Sequence, residues 1–199
     1  MDNYRKENFK AQRANRKRKD CQKASFNRRR RENQKIVQKA KTAPLNSRDL
    51  NLLTNREPNF LGIFASDELD KLRIIRPSVS FIVNLDISTE PGSHWIAIYI
   101  HKKRLEIFDS LGFNMDLWET YPKHLLKFLS KYARSHNFYV SPVLQPPNSY
   151  TCGLFCAFYI IYRKNHSFIN CIKNFSKNLL SNNRKLFTYM DKLVKYFCL

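Results

Sequence analysis

A cysteine followed at once by glycine is the first candidate for chemistry, within the stretch LQPPNSYTCGLFC at residues 144–156. Cys152 precedes a long apolar run, which predicts a buried helix that begins at this cysteine. The free amides and the dipole of a helix start favour the nucleophilic thiolate. Gln145 lies beyond two prolines, where its amide would donate a hydrogen bond to an oxyanion. A buried structural cysteine beside a solvent-facing glutamine is the alternative, and this stretch alone does not decide between the two.

A thiolate nucleophile needs a general base and usually a third group that orients the base. Residues 92–112 predict a β-hairpin, with His94 opening the first strand and Asp109 closing the second. The outer ends of an antiparallel pair with a tight turn lie side by side. We therefore expect the imidazole of His94 and the carboxylate of Asp109 within hydrogen-bond reach of each other.

In these motifs the chain resembles the adenovirus endopeptidase (adenain-like) family of cysteine proteases, in the clan that also holds SUMO- and NEDD8-deconjugating proteases. The matching motifs are HW at 94–95, FDSLGF at 108–113, and Gln145 followed by PNS, CGLFC and the apolar helix. The resemblance implies that Cys152 is the nucleophile and His94 its base. It likewise implies that Asp109 orients His94 and that Gln145 is an oxyanion donor. The adenovirus enzymes usually have Glu where this chain has Asp109, and Asp can do the same work.

The predicted fold is α+β, the arrangement of papain-like and adenain-like cysteine proteases. We expect a small, mostly antiparallel sheet that carries His94 and Asp109, packed against a central helix that begins at Cys152, with further helices around it. Periodicity gives only the types of the elements, and the packing of sheet against helix is implied by the resemblance.

Charge divides the chain unevenly. Of a net charge of +20, residues 1–41 carry +12, from 16 Lys/Arg and 4 Asp/Glu, with few apolar residues. This composition predicts an extension at 1–41 that is disordered or a solvated helix when free, before a protease domain at 42–199. Two basic clusters predict nucleic-acid binding and nuclear import, with a solvated charged tail as the alternative. Their residues are Arg16, Lys17, Arg18, Lys19, Arg28, Arg29, Arg30 and Arg31.

The five cysteines have no paired C-x-x-C spacing, which disfavours a zinc site and a disulfide framework. We expect no required cofactor and no metal. The adenovirus enzymes bind an activating peptide through a disulfide, but residues 130–145 contain no cysteine here, which argues against that mode. DNA is the activator that the viral relatives suggest. No apolar run approaches the length of a membrane span, so we expect a protein without membrane contact, and a monomer.

The resemblance implies a cysteine endopeptidase that cleaves viral or virus-like precursor proteins of the capsid or core, with small residues before the scissile bond. Its expected place is the virion and the host nucleus, with a nuclear or cytoplasmic location as the alternative, and we expect it to bind nucleic acid without sequence preference. One alternative keeps the chemistry but takes SUMO- or ubiquitin-like conjugates as substrates. The six residues between Gln145 and Cys152 favour the viral branch, because the deconjugating branch usually has one fewer. A second alternative is a catalytically inactive, basic nucleic-acid-packaging protein.

Overall fold

The computed structural model describes the backbone of residues 2–196 and the side chains of residues 15–195. No helix in this part of the chain is long and apolar enough to cross a membrane. In chain order the elements are α1 (Asp2–Lys39), α2 (Ser47–Thr54), β1 (Phe60–Ala65), a 3-10 helix (Ser66–Asp70), β2 (Ser78–Asn84), β3 (Trp95–His101), β4 (Arg104–Phe108), a second 3-10 helix (Met115–Thr120), α3 (Lys123–Ser130), β5 (Asn137–Val140), α4 (Cys152–Arg163), α5 (Phe168–Lys173) and α6 (Leu179–Tyr196).

The five strands form one sheet in the order β1-β2-β3-β4-β5. β2, β3 and β4 pair antiparallel, whereas β1 is parallel to β2 and β5 is parallel to β4. The α+β class is confirmed, but the sheet is mixed rather than mostly antiparallel. The two parallel pairs follow from the segments that join their strands. A long crossover returns the chain to the same end of the sheet, so the next strand runs parallel to the one before it. Such crossovers occupy residues 66–77 and 109–136.

Helices cover both faces of the sheet. Alternate side chains of a strand point to opposite faces, so Ile82 and Ala97 join a core that includes α4, whereas Phe81 and Ile98 join a core that includes α3. A sheet with two covered faces needs apolar residues on both of them. This explains why the sequence of β2 and β3 is an almost continuous apolar run.

The helix that begins at Cys152 is anchored to the sheet by a buried carboxylate. Glu106 of β4 is fully buried and accepts hydrogen bonds from the Tyr159 hydroxyl (2.6 Å) and from Nε of Arg163 (2.7 Å), both on α4. A buried carboxylate is costly unless it is paired and hydrogen-bonded. The Glu106 contacts therefore fix the position of α4, and with it the position of Cys152.

The N-terminal segment forms the helix α1, and a solvated helix is one of the two states that its composition predicts. α1 is exposed over residues 15–28, as a solvated helix would be, but its last turns are not. Ile36, Val37 and Ala40 are buried in the same core as Met190 and Val194 of α6. These few apolar residues lie at helical spacing and form a short stripe that α6 covers. The division of the chain at residue 42 stays a prediction, with the addition that the end of α1 packs on the domain.

Candidate active site

The outer ends of β3 and β4 bring two predicted site residues together. His94 directly precedes β3 and Asp109 directly follows β4, in a register that places Ala97 opposite Phe108. Nε2 of His94 lies 2.7 Å from Oδ1 of Asp109. The two side chains are only 12% and 4% exposed. The hairpin thus holds an imidazole and a carboxylate in contact, largely shielded from water.

Asp109 is itself held in place from two directions. Its Oδ1 also accepts a hydrogen bond from the backbone N–H of Leu111, at 2.8 Å. The Ser141 hydroxyl accepts from the backbone N–H of Asp109 (2.8 Å) and donates to its carbonyl (2.6 Å). These contacts fix the carboxylate, and its bond to Nε2 leaves Nδ1 as the ring nitrogen that can serve the thiol.

Cys152 is the first residue of α4, and its side chain is nearly buried. Burial raises the pKa of its thiol, but a hydrogen bond to His94, the charge of that ring, and backbone contacts at Trp95 and Gly153 have the opposite effect. The net result is a thiol pKa below the ordinary value. The position therefore favours a thiolate, the nucleophilic form of cysteine.

The pKa of the His94 imidazole is shifted in the opposite direction to that of the Cys152 thiol. Burial lowers its pKa, but hydrogen bonds to Asp109 and Cys152 and the charges of both raise the pKa to about 9. The raised pKa of His94 and the lowered pKa of Cys152 both favour a protonated imidazole beside an ionised thiol. Such a pair supplies both a nucleophile and a proton donor.

Gln145 is buried on the loop that leads to Cys152. Its Oε1 accepts a hydrogen bond from the Ser110 hydroxyl at 2.7 Å, and its Nε2 donates to the carbonyl of Ser149 at 2.7 Å. An amide nitrogen carries two hydrogens, so one donor remains for another acceptor. The side chain is thus held by two partners with a free N–H.

Sequence and structure comparisons place the chain among known proteins. A sequence model described as adenovirus endoprotease matches residues 60–198. The chain belongs to the adenovirus endoprotease family. This confirms the family predicted from the motifs, and the chain is a cysteine protease. No curated protein matches the sequence significantly.

Solved structures with a similar fold include two proteases. The C-terminal Ulp1 protease domain in complex with Smt3, the yeast ortholog of SUMO, has a TM-score of 0.44 and 17% identity, covering 76% of this chain and 76% of that chain. A protease of the African swine fever virus has a TM-score of 0.47 and 14% identity, covering 77% of this chain and 68% of that chain. Both TM-scores lie below 0.5, so neither likeness says anything about the substrate of the present endoprotease.

A cleft of about 500 Å³ leads to Cys152 in this endoprotease. Its lining includes residues 44–46 of the linker before α2, Ser47 at the start of α2, the end of β1 and the loop at residues 87–93. The indole N–H of Trp95 donates to the Leu45 carbonyl at 2.9 Å, which joins the linker to the residue beside His94. The linker is therefore part of the active-site region, although it lies outside the segment that matches the family.

Three features of the site were not found from the sequence. They are the contacts of Ser110, Ser141 and Leu45 described above. Ser110 lies within the FDSLGF motif, which marks its neighbourhood but not its contact. Nothing in the sequence marks Ser141 or Leu45. Each of the three acts across a long sequence separation, at least 32 residues for the bonds described.

The basic residues predicted to bind nucleic acid lie on α1 of the endoprotease. Those of the first cluster, at 16–19, are exposed, as are Arg28 and Arg31. Arg29 differs, because its guanidinium donates to the Leu52 carbonyl at 2.9 Å and to Oδ1 of Asn55 at 2.6 Å. Arg29 therefore helps to dock α1 on α2. Within residues 15–195, no cluster of three or more His, Cys, Asp or Glu side chains is arranged to hold a metal ion.

Proposed function

We propose that this endoprotease cleaves precursor proteins of a virus or virus-like element during virion maturation, with Cys152 as its nucleophile. The observation that carries the proposal is the buried contact between Cys152, His94 and Asp109 at the meeting point of α4 and the hairpin. This geometry lowers the thiol pKa and raises that of the imidazole. A structural cysteine would need neither shift.

The proposed reaction uses four residues: Cys152, His94, Asp109 and Gln145. The Cys152 thiolate attacks the scissile carbonyl carbon, and the carbonyl oxygen becomes an oxyanion. The free N–H of Gln145 and the backbone N–H of Cys152 donate to that oxyanion. The His94 imidazolium gives its proton to the leaving amine as the C–N bond breaks, while Asp109 holds the ring. Water, deprotonated by the now neutral His94, then hydrolyses the thioester and releases the thiolate.

Peptides with Gly-Gly or Gly-X-Gly before the scissile bond test this proposal. The full chain should cleave them, and Cys152→Ala should abolish turnover because the nucleophile is gone. Cys156→Ala is the matched control, since it removes a neighbouring buried thiol one helical turn later. Turnover that survives in Cys152→Ala would rule out the assignment. Faster turnover of ubiquitin-like fluorogenic substrates than of these peptides would instead assign deconjugation.

The exposed basic face of α1 supports a second part of the proposal. We propose that α1 holds the enzyme on nucleic acid in the virion and the host nucleus, together with precursors bound to the same polyanion. Confinement to one surface raises the encounter rate of enzyme and substrate, so DNA would act as an activator. Binding would be independent of sequence, because Lys and Arg contacts to phosphates carry no base information.

A further inference from the structure

We infer that Ser110 is a positioning residue that holds the oxyanion donor Gln145 in its working orientation. The Ser110 hydroxyl donates to Oε1 of Gln145 at 2.7 Å, across 35 residues of sequence. The Ser110 carbonyl also accepts from the backbone N–H groups of Leu144 and Gln145, each at 2.8 Å. Ser110 is fully buried. The inference rests on the oxyanion role proposed for Gln145.

The two ends of the Gln145 amide must not be exchanged if it is to stabilise an oxyanion. The carbonyl of Ser149 can only accept, so it selects the orientation in which Nε2 faces it at 2.7 Å. In that orientation Oε1 is a buried acceptor that needs a donor, and Ser110 supplies one. An unsatisfied buried amide oxygen would favour rotation of the side chain away from this geometry. Ser110 and Ser149 together therefore restrict the terminal torsion of Gln145.

The same short segment also carries the partner of the catalytic imidazole. Asp109 holds Nε2 of His94 at 2.7 Å, and the next residue holds Gln145. The end of β4 thus fixes the base and the oxyanion donor relative to each other. Because Asp109 and Ser110 are adjacent in the chain, the positions of His94 and Gln145 are fixed relative to each other by one short segment.

A serine that only satisfies a buried polar group would behave differently from a positioning residue. Loss of a purely structural contact lowers stability, but its effect on turnover would not depend on the presence of Gln145. Loss of a positioning contact lowers kcat through Gln145 alone. A double-mutant cycle separates these two cases.

The cycle consists of the full-length chain, Ser110→Ala, Gln145→Ala and the double variant, assayed for kcat and KM on a Gly-Gly peptide. Gln145→Ala should lower kcat by about 10²–10³-fold, the usual effect of losing one oxyanion donor. We expect Ser110→Ala to lower kcat by about tenfold in the parent, with little change in KM, and by less than about twofold in the Gln145→Ala background. The alkylation rate of Cys152 and its pH profile should be unchanged by Ser110→Ala, because the thiolate pair is intact.

Two further variants distinguish a loss of positioning from a general loss of folding. Ser66→Ala removes an equally buried serine hydroxyl elsewhere and should leave kcat unchanged. Ser110→Cys keeps a side chain of similar size with a weak donor, so its kcat should fall between those of the parent and Ser110→Ala. If Ser110→Ala does not fold, a kcat of Ser110→Cys equal to that of the parent would overturn the inference.

The outcomes also separate the inference from the proposed function. Equal losses from Ser110→Ala in the parent and in the Gln145→Ala background would overturn the positioning role while leaving the protease intact. No turnover by the unmodified chain would overturn the proposed function and this inference with it. A loss that vanishes when Gln145 is absent supports both.

Discussion

At Cys152 and His94, burial and local partners act in opposite directions. Burial disfavours a charge on either group, whereas each charge is stabilised by the other and by hydrogen bonds. The partners prevail, since the pKa of His94 rises to about 9 and that of Cys152 falls below its ordinary value. Of the two hydrogen bonds that raise the pKa of His94, the one to Asp109 has the larger effect. The reactive state therefore depends on three side chains acting together.

The pH dependence of catalysis follows from these directions. With rising pH, kcat/KM should increase as Cys152 ionises, below the pH at which an ordinary thiol does so, and should decrease as His94 loses its proton near pH 9. Asp109→Asn removes the carboxylate that stabilises the imidazolium, so the alkaline decrease should move to lower pH. Peptide cleavage across the pH range measures both limbs. Iodoacetamide alkylation of Cys152 that follows the profile of free cysteine would contradict the prediction.

At the scale of elements, α1 combines an exposed basic part with a packed end. Arg29 binds α2 through Leu52 and Asn55, and Ile36 and Val37 enter the core. Lys39 forms a 2.6 Å ion pair with Asp49 of α2. The chain then runs directly into residues 44–47, which line the cleft to Cys152. The end of α1 therefore supports one side of the active site.

A pair of substitutions on α1 tests this packing. Ile36→Ala removes a buried side chain and should lower the free energy of unfolding by about 2–5 kcal/mol. Phe26→Ala is the matched control on the same helix, where the ring is 45% exposed, and should change it by less than about 0.5 kcal/mol. Urea unfolding of the full-length variants measures both values. Equal and negligible effects would mean that the whole of residues 1–41 is an unpacked tail.

At the scale of the whole molecule, the net charge of +20 is the dominant feature. More than half of it lies in residues 1–41, and six of the eight residues in the basic clusters of α1 are exposed. By contrast, within residues 15–195 Glu68 and Glu90 are the only Asp, Glu, Lys or Arg residues among those that line the cleft. A polyanion would thus be attracted to α1 rather than to the cleft, which would leave the cleft open to protein substrates.

The salt dependence of DNA binding tests the role of α1. Engagement of eight of the 16 basic residues at phosphates would give a slope of about −7 for log affinity against log salt. Substitution of seven of them by Gln should reduce the steepness by up to about 6. The seven are Arg16, Lys17, Arg18, Lys19, Arg28, Arg30 and Arg31. The same variant should cleave a DNA-bound precursor more slowly but a short free peptide at an unchanged rate.

Arg29→Gln is the control for this experiment, because its guanidinium is already bonded to Leu52 and Asn55. Arg29→Gln should lower the free energy of unfolding. It should change the salt slope of DNA binding by less than the substitution of an exposed arginine of α1 does. Substitution is preferable to removal of residues 1–41, which would also strip Ile36, Val37 and Ala40 from the core. Identical slopes for the parent and the seven-residue variant would leave α1 as an import signal or a solvated helix.

The sequence by itself determined the features that depend on short stretches of chain. The tight turn and the two strands of the hairpin place His94 and Asp109 at adjacent ends, because the outer ends of an antiparallel pair lie side by side. The apolar run after Cys152 requires a buried helix that begins at the cysteine. The family followed from the order of these motifs, and the comparison confirmed it.

Only the tertiary structure decided which distant segments meet. The contacts of Ser110 with Gln145 and of Trp95 with Leu45 span 35 and 50 residues, and no periodic pattern encodes them. The parallel edge strands depend on the direction in which a crossover returns, and the packed end of α1 depends on α6, which lies at the other end of the chain. Local propensity fixes an element, whereas its partners are selected by the surface that remains to be covered once the rest of the chain has packed.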